Sequence, residues 1–234
     1  MIYVTSDLHG CHPGEFQRFL TQSGFGDDDF LFILGDVIDR GEYGAELLLW
    51  LTEQPNMQLI LGNHEALLLA CSFLFDEVTE ESLEALNCEQ LRLMEGWMKN
   101  GASPTIAGFR KLLRRDPELV AGILDYLQDA PLYEMLEIRG KKYVLVHAGL
   151  DNFHPARPMD DYAPDGLTWV RPDPDTRYFE DATVILGHTP TEYYGMEYRG
   201  RALHTDTWID IDTGAAMGNN PMLLRLDDMR EFYM

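Results

Sequence analysis

Two aspartates and an arginine follow an apolar run in the stretch Gly35-Asp36-Val37-Ile38-Asp39-Arg40-Gly41. The preceding run, Phe30-Leu31-Phe32-Ile33-Leu34, is short and continuous, which predicts a fully buried strand. Carboxylates at the end of a buried strand are costly to desolvate unless a cation or a proton donor compensates them. A metal ion bridged by Asp36 would compensate one carboxylate, and a histidine could compensate the other. Taken alone, the stretch is also compatible with a turn that carries an Asp–Arg pair.

The same arrangement, an apolar run that ends at potential metal ligands, occurs four more times in the chain. The polar stretches that follow these runs are Ser6-Asp7-Leu8-His9-Gly10, Gly62-Asn63-His64-Glu65, His147-Ala148-Gly149 and Gly187-His188-Thr189-Pro190. Ligands in α/β folds gather at the carboxyl ends of strands, so five such ends are expected to converge on one pocket. Any single histidine could instead be an ordinary hydrogen-bonded residue, but the repetition of the pattern favours a shared site.

The residue types at these strand ends suit a transition-metal site. Aspartate, asparagine and histidine offer oxygen and imidazole ligands without thiolate, which favours Mn, Fe or Zn over a structural cysteine cage. A shared carboxylate suits two metal ions about 3.5–4 Å apart, the spacing that phosphatases and nucleases use. The pattern therefore predicts a dinuclear metal site.

The ordered motifs DLHG, GDVIDRG, GNHE, VHAG and GHTP resemble those of the calcineurin-like metallophosphoesterase superfamily. Within it, the chain resembles the PPP-type phosphoprotein phosphatases, especially the short bacterial and phage serine/threonine protein phosphatases. The motifs extend from Asp7 to His188 and so cover most of the chain. The resemblance implies an α/β sandwich of two mixed β-sheets flanked by helices. The length of 234 residues fits a single domain over residues 1–234, and the motif-poor stretch at about residues 66–130 is expected to form a helical insertion or cap within it.

The resemblance further implies a role for each motif residue. The metal ligands would be Asp7, His9, Asp36, Asn63, His147 and His188. Asp7 and His9 would hold the first metal ion, Asp36 would bridge both, and the other three would complete the second. The catalytic residues would be His64, as the general acid, and Asp39, which would orient it. Phosphate oxygens would be bound by Arg40, Asn63 and Arg171, the last because it follows Trp169 between the last two histidine motifs.

One departure from the wider superfamily concerns the last motif. Many calcineurin-like esterases carry a second histidine two positions after the histidine of this motif, and here that position is Pro190. This difference favours the PPP type over the general phosphodiesterases and nucleases. The glutamate of the GNHE motif, Glu65, points the same way.

The resemblance implies hydrolysis of a phosphomonoester by direct attack of a metal-bridging hydroxide, as in a serine/threonine protein phosphatase. A phosphorylated protein or a small phosphoester would be the substrate. One alternative is a symmetrical diadenosine tetraphosphate hydrolase, which would share the metal site and differ in the pocket walls. An alternative of another class is a catalytically silent binding module of the same fold, which predicts a broken catalytic set, whereas every residue carried over from the family is present.

Composition bears on partners and location. Asp and Glu total 40 against 18 Lys and Arg, a formal net charge of −22, which argues against nucleic acid as a partner because phosphate backbones need clustered cations. Cys11, Cys71 and Cys88 have neither metal-ligand spacing nor a paired framework, which fits a reducing cytoplasm. The chain begins with a strand that leaves no room for a signal peptide, and no apolar stretch approaches the length of a membrane span.

Other segments carry expectations of structure but no assigned role. A helix is expected from Glu80 to Met98, a loop from Asn100 to Thr105, and antiparallel strands of the second sheet from Ala202 to Leu226. No function is assigned to His154, His204 or the basic cluster of Arg110, Lys111, Arg114 and Arg115.

Overall fold

The computed structural model describes residues 1–76 and 87–234, which form two mixed β-sheets with flanking helices. The strands are β1 (Ile2–Thr5), β2 (Phe30–Ile33), β3 (Met57–Leu59), β4 (Tyr133–Ile138), β5 (Lys141–Val146), β6 (Ala182–Leu186), β7 (Leu203–His204), β8 (Trp208–Asp210), β9 (Met222–Arg225) and β10 (Arg230–Tyr233). The α-helices are α1 (Pro13–Gln22), α2 (Gly44–Thr52), α3 (Asn63–Ala70), α4 (Cys88–Lys99), α5 (Ser103–Arg115), α6 (Pro117–Gln128) and α7 (Asp165–Thr168). The predicted α/β class with two mixed sheets is confirmed.

The first sheet has the strand order β10-β9-β1-β2-β3. Its parallel half, β1-β2-β3, is connected through α1 and α2, as the alternation of apolar runs predicts for a parallel sheet. β9 pairs antiparallel with β1, with Val4 opposite Leu224. The expectation that Met222–Leu226 belongs to the second sheet is therefore wrong, because the free edge of β1 takes this strand.

The second sheet has the strand order β4-β5-β6-β8-β7. β4 and β5 form the hairpin that the sequence around Arg139-Gly140 predicts. β8 runs parallel to β6, with Ile185 opposite Ile209, and antiparallel to β7. The expectation of purely antiparallel strands at the end of the chain is thus correct for β7 with β8 and wrong for β8 with β6.

The two sheets pack face to face through one apolar layer. Val4 and Phe32 of the first sheet and Leu145, Ile185 and Ile209 of the second belong to this layer, and all five are buried. The remaining face of the first sheet is covered by helices, whereas the remaining face of the second is covered by residues 150–179. β1 and β2 run parallel, as do β5 and β6, so the two strands of each pair end at the same edge of their sheet. Contacts between residues that follow strands of both sheets place these two edges on one side of the sandwich.

Helices α4, α5 and α6 lie within residues 66–130, where a helical insertion is expected. The stretch of residues 77–86, where a helix was expected to begin, lies outside the described residues, and α4 starts at Cys88 behind a capping box made by Asn87 and Gln90. The expected loop from Asn100 to Thr105 is shorter than predicted, because α5 already begins at Ser103. Among the described residues, no helix is long and apolar enough to span a membrane.

Candidate active site

The strand ends bring the predicted site residues together, and the backbone there is strained. Asp7 and His9 follow β1, and their amides donate to the carbonyls of Gly35 (3.1 Å) and Asp36 (2.9 Å), which tie the first loop to the second. A positive φ is found at Asp7, His9, Asp36, Asp39, Arg40 and His188, with values from 40° to 69°. Such angles cost free energy for residues other than glycine and cluster at functional sites.

Asp36 lies at the centre of the site. Its Oδ2 is 3.7 Å from His9 Nε2 and 3.6 Å from His64 Nε2, and its Oδ1 is 3.4 Å from His147 Nε2. Two groups of side chains have potential ligand atoms within 4.8 Å of one another, His9 with Asp36 and His64, and Asp36 with His147 and His188. Both groups contain Asp36, so one carboxylate serves two neighbouring positions.

Asn63 completes the second group. Its Oδ1 is 2.9 Å from His147 Nε2 and 2.9 Å from His188 Nδ1, and all three side chains are buried. His147 Nδ1 donates to the Leu34 carbonyl at 2.6 Å, which fixes the ring and directs Nε2 towards Asn63 and Asp36. Backbone carbonyls orient metal-binding histidines in the same way in known sites.

The first group has a similar arrangement. His9 Nδ1 donates to the Ile38 carbonyl at 3.0 Å, so Nε2 is the acceptor that faces Asp36. Asp7 Oδ2 accepts from the His188 amide at 2.9 Å and from Ser6, whereas its Oδ1 is 3.9 Å from His9 Nε2. Asp7 Oδ1 is buried without a hydrogen-bond partner among the described residues. A cation is the kind of partner that such an orphaned carboxylate oxygen needs.

The pKa shifts agree with a site for cations. Burial, then the charge of Asp36, raises the pKa of Asp7 to about 6. Burial lowers the pKa of His9 to about 3, and burial together with His147 lowers the pKa of His188 to about 3, so both imidazoles stay neutral. Burial opposes ionisation of Asp36, but the charge of His64, the largest of the opposing effects, holds its pKa below the usual range. Neutral imidazole and ionised carboxylate are the forms that bind metal ions.

His64 and Asp39 form a buried pair beside the ligand groups. His64 Nδ1 lies 2.6 Å from Asp39 Oδ2, which leaves Nε2 as the atom on the side of Asp36. Burial lowers the pKa of His64, but the charge of Asp36 and the hydrogen bond to Asp39 outweigh it and raise the pKa to about 9. The arrangement is that of an imidazole oriented by a carboxylate for proton transfer.

The two candidate arginines differ in how close they come to the ligand groups. Arg40 Nη1 is 3.0 Å from His9 Nε2, and Nη2 is 3.2 Å from His64 Nε2. Arg171 is exposed. Its charge adds to burial and the charge of His147 in lowering the pKa of His188, against the opposing charge of Asp36. The indole of Trp169, 40% exposed, lies edge-to-face with the His188 ring at a centroid distance of 6.0 Å.

Three groups without an assigned role lie elsewhere. His204 is exposed and its Nε2 is 2.7 Å from Glu231 Oε1, and His154 is exposed in the loop after β5. In the basic cluster on α5, Lys111 pairs with Glu46 at 2.7 Å on the protein surface.

Sequence reasoning did not identify three residues that support the site. Trp97 and Thr105 donate hydrogen bonds to Asp39, and Glu65 accepts hydrogen bonds from the loop that carries Asp36. Glu65 was considered only as a marker of the subfamily. Trp97 and Thr105 lie outside the five ligand motifs of the sequence.

The fold and the shared carboxylate define a metal-dependent phosphoester hydrolase. Residues 1–212 match the family of calcineurin-like phosphoesterases, and the chain belongs to this family. The resemblance stated from the five motifs is thereby confirmed at the level of the superfamily.

Relatives with assigned activities extend over almost the whole chain. An asymmetrical bis(5′-nucleosyl)-tetraphosphatase from Geobacillus thermodenitrificans is 26% identical over 255 residues, which cover 97% of this chain and 91% of the relative. A symmetrical bis(5′-nucleosyl)-tetraphosphatase from Actinobacillus succinogenes is 26% identical over 281 residues, with coverage of 98% and 95%.

Solved structures support the fold. A protein provisionally assigned as a diadenosine tetraphosphatase superposes with a TM-score of 0.63 at 18% identity and covers 100% of this chain and 92% of its own. A protein serine/threonine phosphatase from Saccharomyces cerevisiae superposes with a TM-score of 0.52 at 14% identity, covering 100% of this chain and 78% of its own.

Proposed function

We propose that this chain is a dinuclear-metal hydrolase whose substrates are bis(5′-nucleosyl) tetraphosphates. The observation that carries the hydrolytic site is the position of Asp36 in both potential ligand groups. The substrate class is supported by two relatives that are named bis(5′-nucleosyl)-tetraphosphatases and that align with nearly the full chain.

The residues present fit two metal ions. Oxygen and imidazole donors without thiolate suit Mn, Fe or Zn, and Asp7 Oδ1 provides an anionic ligand that accepts no hydrogen bond from residues 1–76 and 87–234. The proposed ligands are Asp7 and His9 for one ion, Asn63, His147 and His188 for the other, and Asp36 for both. When bound, two such ions lower the pKa of a shared water and neutralise phosphoryl oxygens.

The chain's own residues supply binding and proton transfer. Arg40 and Arg171 would bind phosphoryl oxygens, since guanidinium groups donate two parallel hydrogen bonds to such oxygens, and Asn63 would assist through its amide. His64 would donate a proton from Nε2 to the leaving oxygen, while Asp39 holds Nδ1 at 2.6 Å. A nucleoside diphosphate is a better leaving group than an alkoxide, so this proton would matter less for a dinucleotide than for a phosphoserine.

Trp169 supports a nucleotide substrate. Its exposed indole stands beside His188, at the edge of the second ligand group, where a nucleobase can stack on it. Stacking of a base on an aromatic side chain contributes about 1–3 kcal/mol. Replacement of Trp169 by alanine should therefore raise the KM for diadenosine tetraphosphate and leave that for nitrophenyl phosphate unchanged.

A serine/threonine protein phosphatase is the second candidate. It is supported by the exposure of Arg40, which would let this phosphate-binding arginine contact a phosphoserine on a protein surface. It agrees with Pro190 in place of the second histidine of other esterases. The net charge of −22 favours small phosphoesters or phosphoproteins over nucleic acid as substrates.

We also propose that the protein is cytoplasmic and that residues 1–234 form a single domain.

The test is turnover by metal-stripped protein before and after addition of Mn²⁺, with diadenosine tetraphosphate, a phosphoserine peptide and a nitrophenyl phosphate as substrates. Metal-dependent cleavage that is fastest for the dinucleotide would support the proposal. Two ADP would indicate symmetrical cleavage, and ATP with AMP would indicate asymmetrical cleavage. Preference for the peptide would select the second candidate. Two bound metal ions without turnover of any substrate would overturn both and favour a silent binding module.

A further inference from the structure

The carboxylate of Asp39 accepts hydrogen bonds from two other side chains besides His64. Trp97 Nε1 donates to Asp39 Oδ2 at 2.7 Å, the same oxygen that lies 2.6 Å from His64 Nδ1. Thr105 Oγ1 donates to the other oxygen, Oδ1, at 2.5 Å, and accepts from the Asp39 amide at 2.9 Å. Asp39, Trp97 and Thr105 are each at most 1% exposed to solvent. Every hydrogen bond to this carboxylate therefore comes from His64, Trp97 or Thr105 among the described residues.

These contacts come from a different part of the chain. Trp97 lies near the end of α4, and Thr105 lies in the first turn of α5, 58 and 66 residues after Asp39. The turn between these helices also contacts Arg40, whose amide donates to the Gly101 carbonyl at 3.0 Å. Gly101 has a φ of 102°, and a Cβ at this position would lie 2.8 Å from Arg40 Cγ. The segment from Trp97 to Thr105, with both helix ends and the turn between them, thus contacts two consecutive residues of the GDVIDRG motif.

The energetics of a buried carboxylate explain why such contacts matter. An ionised carboxylate without partners in an apolar environment is strongly destabilised, and donors that point at both oxygens offset that cost. They also restrict rotation of the carboxylate, because the indole and the hydroxyl fix both oxygens in direction. With Oδ2 fixed, the Nδ1–H of His64 has one low-energy orientation, and Nε2 is held on the side of Asp36.

We propose that Trp97 and Thr105 are positioning residues, which act through Asp39 to hold the His64 imidazole in the orientation needed for proton transfer to the leaving group. The helical segment from α4 to α5 is then part of the catalytic apparatus in addition to being a cover for the sheet. This inference rests on the proposed hydrolytic function of the site and adds two residues to it.

Three substitutions separate positioning from packing. Trp97→Phe keeps an aromatic ring and removes the N–H donor, and Thr105→Val keeps the shape and removes the hydroxyl. Thr105→Ser keeps the hydroxyl and removes only the methyl group. Trp208→Phe is the matched control, because Trp208 is also fully buried and its Nε1 donates to the Thr176 carbonyl at 3.1 Å, away from Asp39.

The kinetic readout is the ratio of kcat/KM for a nitrophenyl phosphate to that for an alkyl phosphate. Trp97→Phe and Thr105→Val should slow the alkyl phosphate by about 10- to 100-fold more than the nitrophenyl phosphate, which is less than loss of the general acid itself, about 10²- to 10⁴-fold. Thr105→Ser and Trp208→Phe should leave the ratio at the wild-type value. Equal slowing of both substrates in folded Trp97→Phe and Thr105→Val would overturn the proposal.

A second readout does not require turnover. In metal-free protein, the His64 Nδ1 proton in its short hydrogen bond to Asp39 should give a downfield proton NMR signal that is absent from His64→Asn. This signal should shift or broaden in Trp97→Phe and Thr105→Val and stay unchanged in Trp208→Phe. An unchanged signal in all variants would overturn the positioning role. If wild-type protein hydrolysed no phosphoester, the proposed function would fail, while this signal would still report whether Trp97 and Thr105 hold the pair.

Discussion

Glu65 closes the loop that carries Asp36. Its Oε2 accepts a hydrogen bond from the Asp36 amide at 2.8 Å, and its Oε1 accepts from the amides of Val37 at 2.9 Å and Ile38 at 3.3 Å. The carboxylate is fully buried and lies on α3, the helix that also carries Asn63 and His64. Gly62 leaves room for it, since a Cβ there would be 2.6 Å from Asp36 N and 2.7 Å from Glu65 Oε2. Two of the metal-binding motifs are thereby joined by one side chain.

Replacement of Glu65 by glutamine should loosen this connection. One carboxylate oxygen becomes an NH₂ group, so at least one buried backbone N–H loses its acceptor, at a cost of about 1–3 kcal/mol in the free energy of unfolding. Affinity for Mn²⁺ should fall by about 10- to 100-fold, as for other residues that support metal ligands. Urea unfolding and Mn²⁺ titration measure the two effects. Glu53→Gln, at an exposed position, is the control, and equal behaviour of the two variants would contradict this role for Glu65.

Replacement of His64 by asparagine should leave metal binding intact and reduce turnover selectively. Since His64 Nδ1 is occupied by Asp39, only Nε2 is available to a leaving group, and its loss should slow substrates with alkoxide leaving groups by about 10²- to 10⁴-fold. Nitrophenyl phosphate, which needs little protonation, should be slowed much less. Bound Mn²⁺ is measured in parallel, and His154→Asn is the control at an exposed histidine. Equal slowing of the two substrates would contradict the general-acid role.

Lysine in place of Arg40 should harm catalysis more than lysine in place of Arg171. The guanidinium of Arg40 lies within 3.2 Å of both His9 and His64, whereas Arg171 acts on the ligand groups through its charge, which adds to the lowering of the His188 pKa. Lysine cannot donate two parallel hydrogen bonds to a phosphate, and removal of one such donor costs roughly 10²-fold in kcat. Steady-state kinetics and inhibition by inorganic phosphate measure the effect, with Arg110→Lys on the surface of α5 as the control. A larger effect at Arg171 would reverse the proposed order of importance.

Asp210 should make the metal-free protein less stable at high pH. It is fully buried on β8, its Oδ1 accepts from the Asp212 amide at 2.8 Å, and its Oδ2 has no partner among the described residues. Burial, then the charge of Asp212, raises its pKa well above the ordinary value of 3.8. The folded state therefore favours the protonated form, so stability is present at low pH and is lost as the pH rises from that ordinary value through the folded pKa.

Asparagine at position 210 cannot ionise and should avoid that loss. In protein treated with a chelator, Asp210→Asn should gain about 1–3 kcal/mol in unfolding free energy relative to wild type at pH 8. The gain should shrink at pH 5. Urea unfolding at the two pH values checks the prediction, with exposed Asp28→Asn as the control. A difference between variant and wild type that does not change with pH would contradict the buried-charge explanation.

Prediction from sequence worked best where structure and chemistry are local. The residues after β1, β2 and β6 were expected at one pocket, and Asp7, Asp36 and His188 lie there. Prediction from sequence failed where a segment is compatible with pairing in either of the two sheets. Met222–Arg225 is a short apolar run that pairs with β1, but nothing in its own residues distinguishes the first sheet from the second as its partner. The start of α5 was missed because Ser103 and Pro104 occur both in loops and in first helical turns.

The sequence by itself determined the family, the fold class and the order of the ligand motifs, because a strand followed by a turn places a side chain at the sheet edge whatever the rest of the chain does. Only the tertiary structure decided what surrounds Asp39 and Asp36. Trp97, Thr105 and Glu65 reach these residues across 58, 66 and 29 positions. Hydrogen bonds over such separations depend on how helices pack on the sheet, and each helix alone is compatible with several packings.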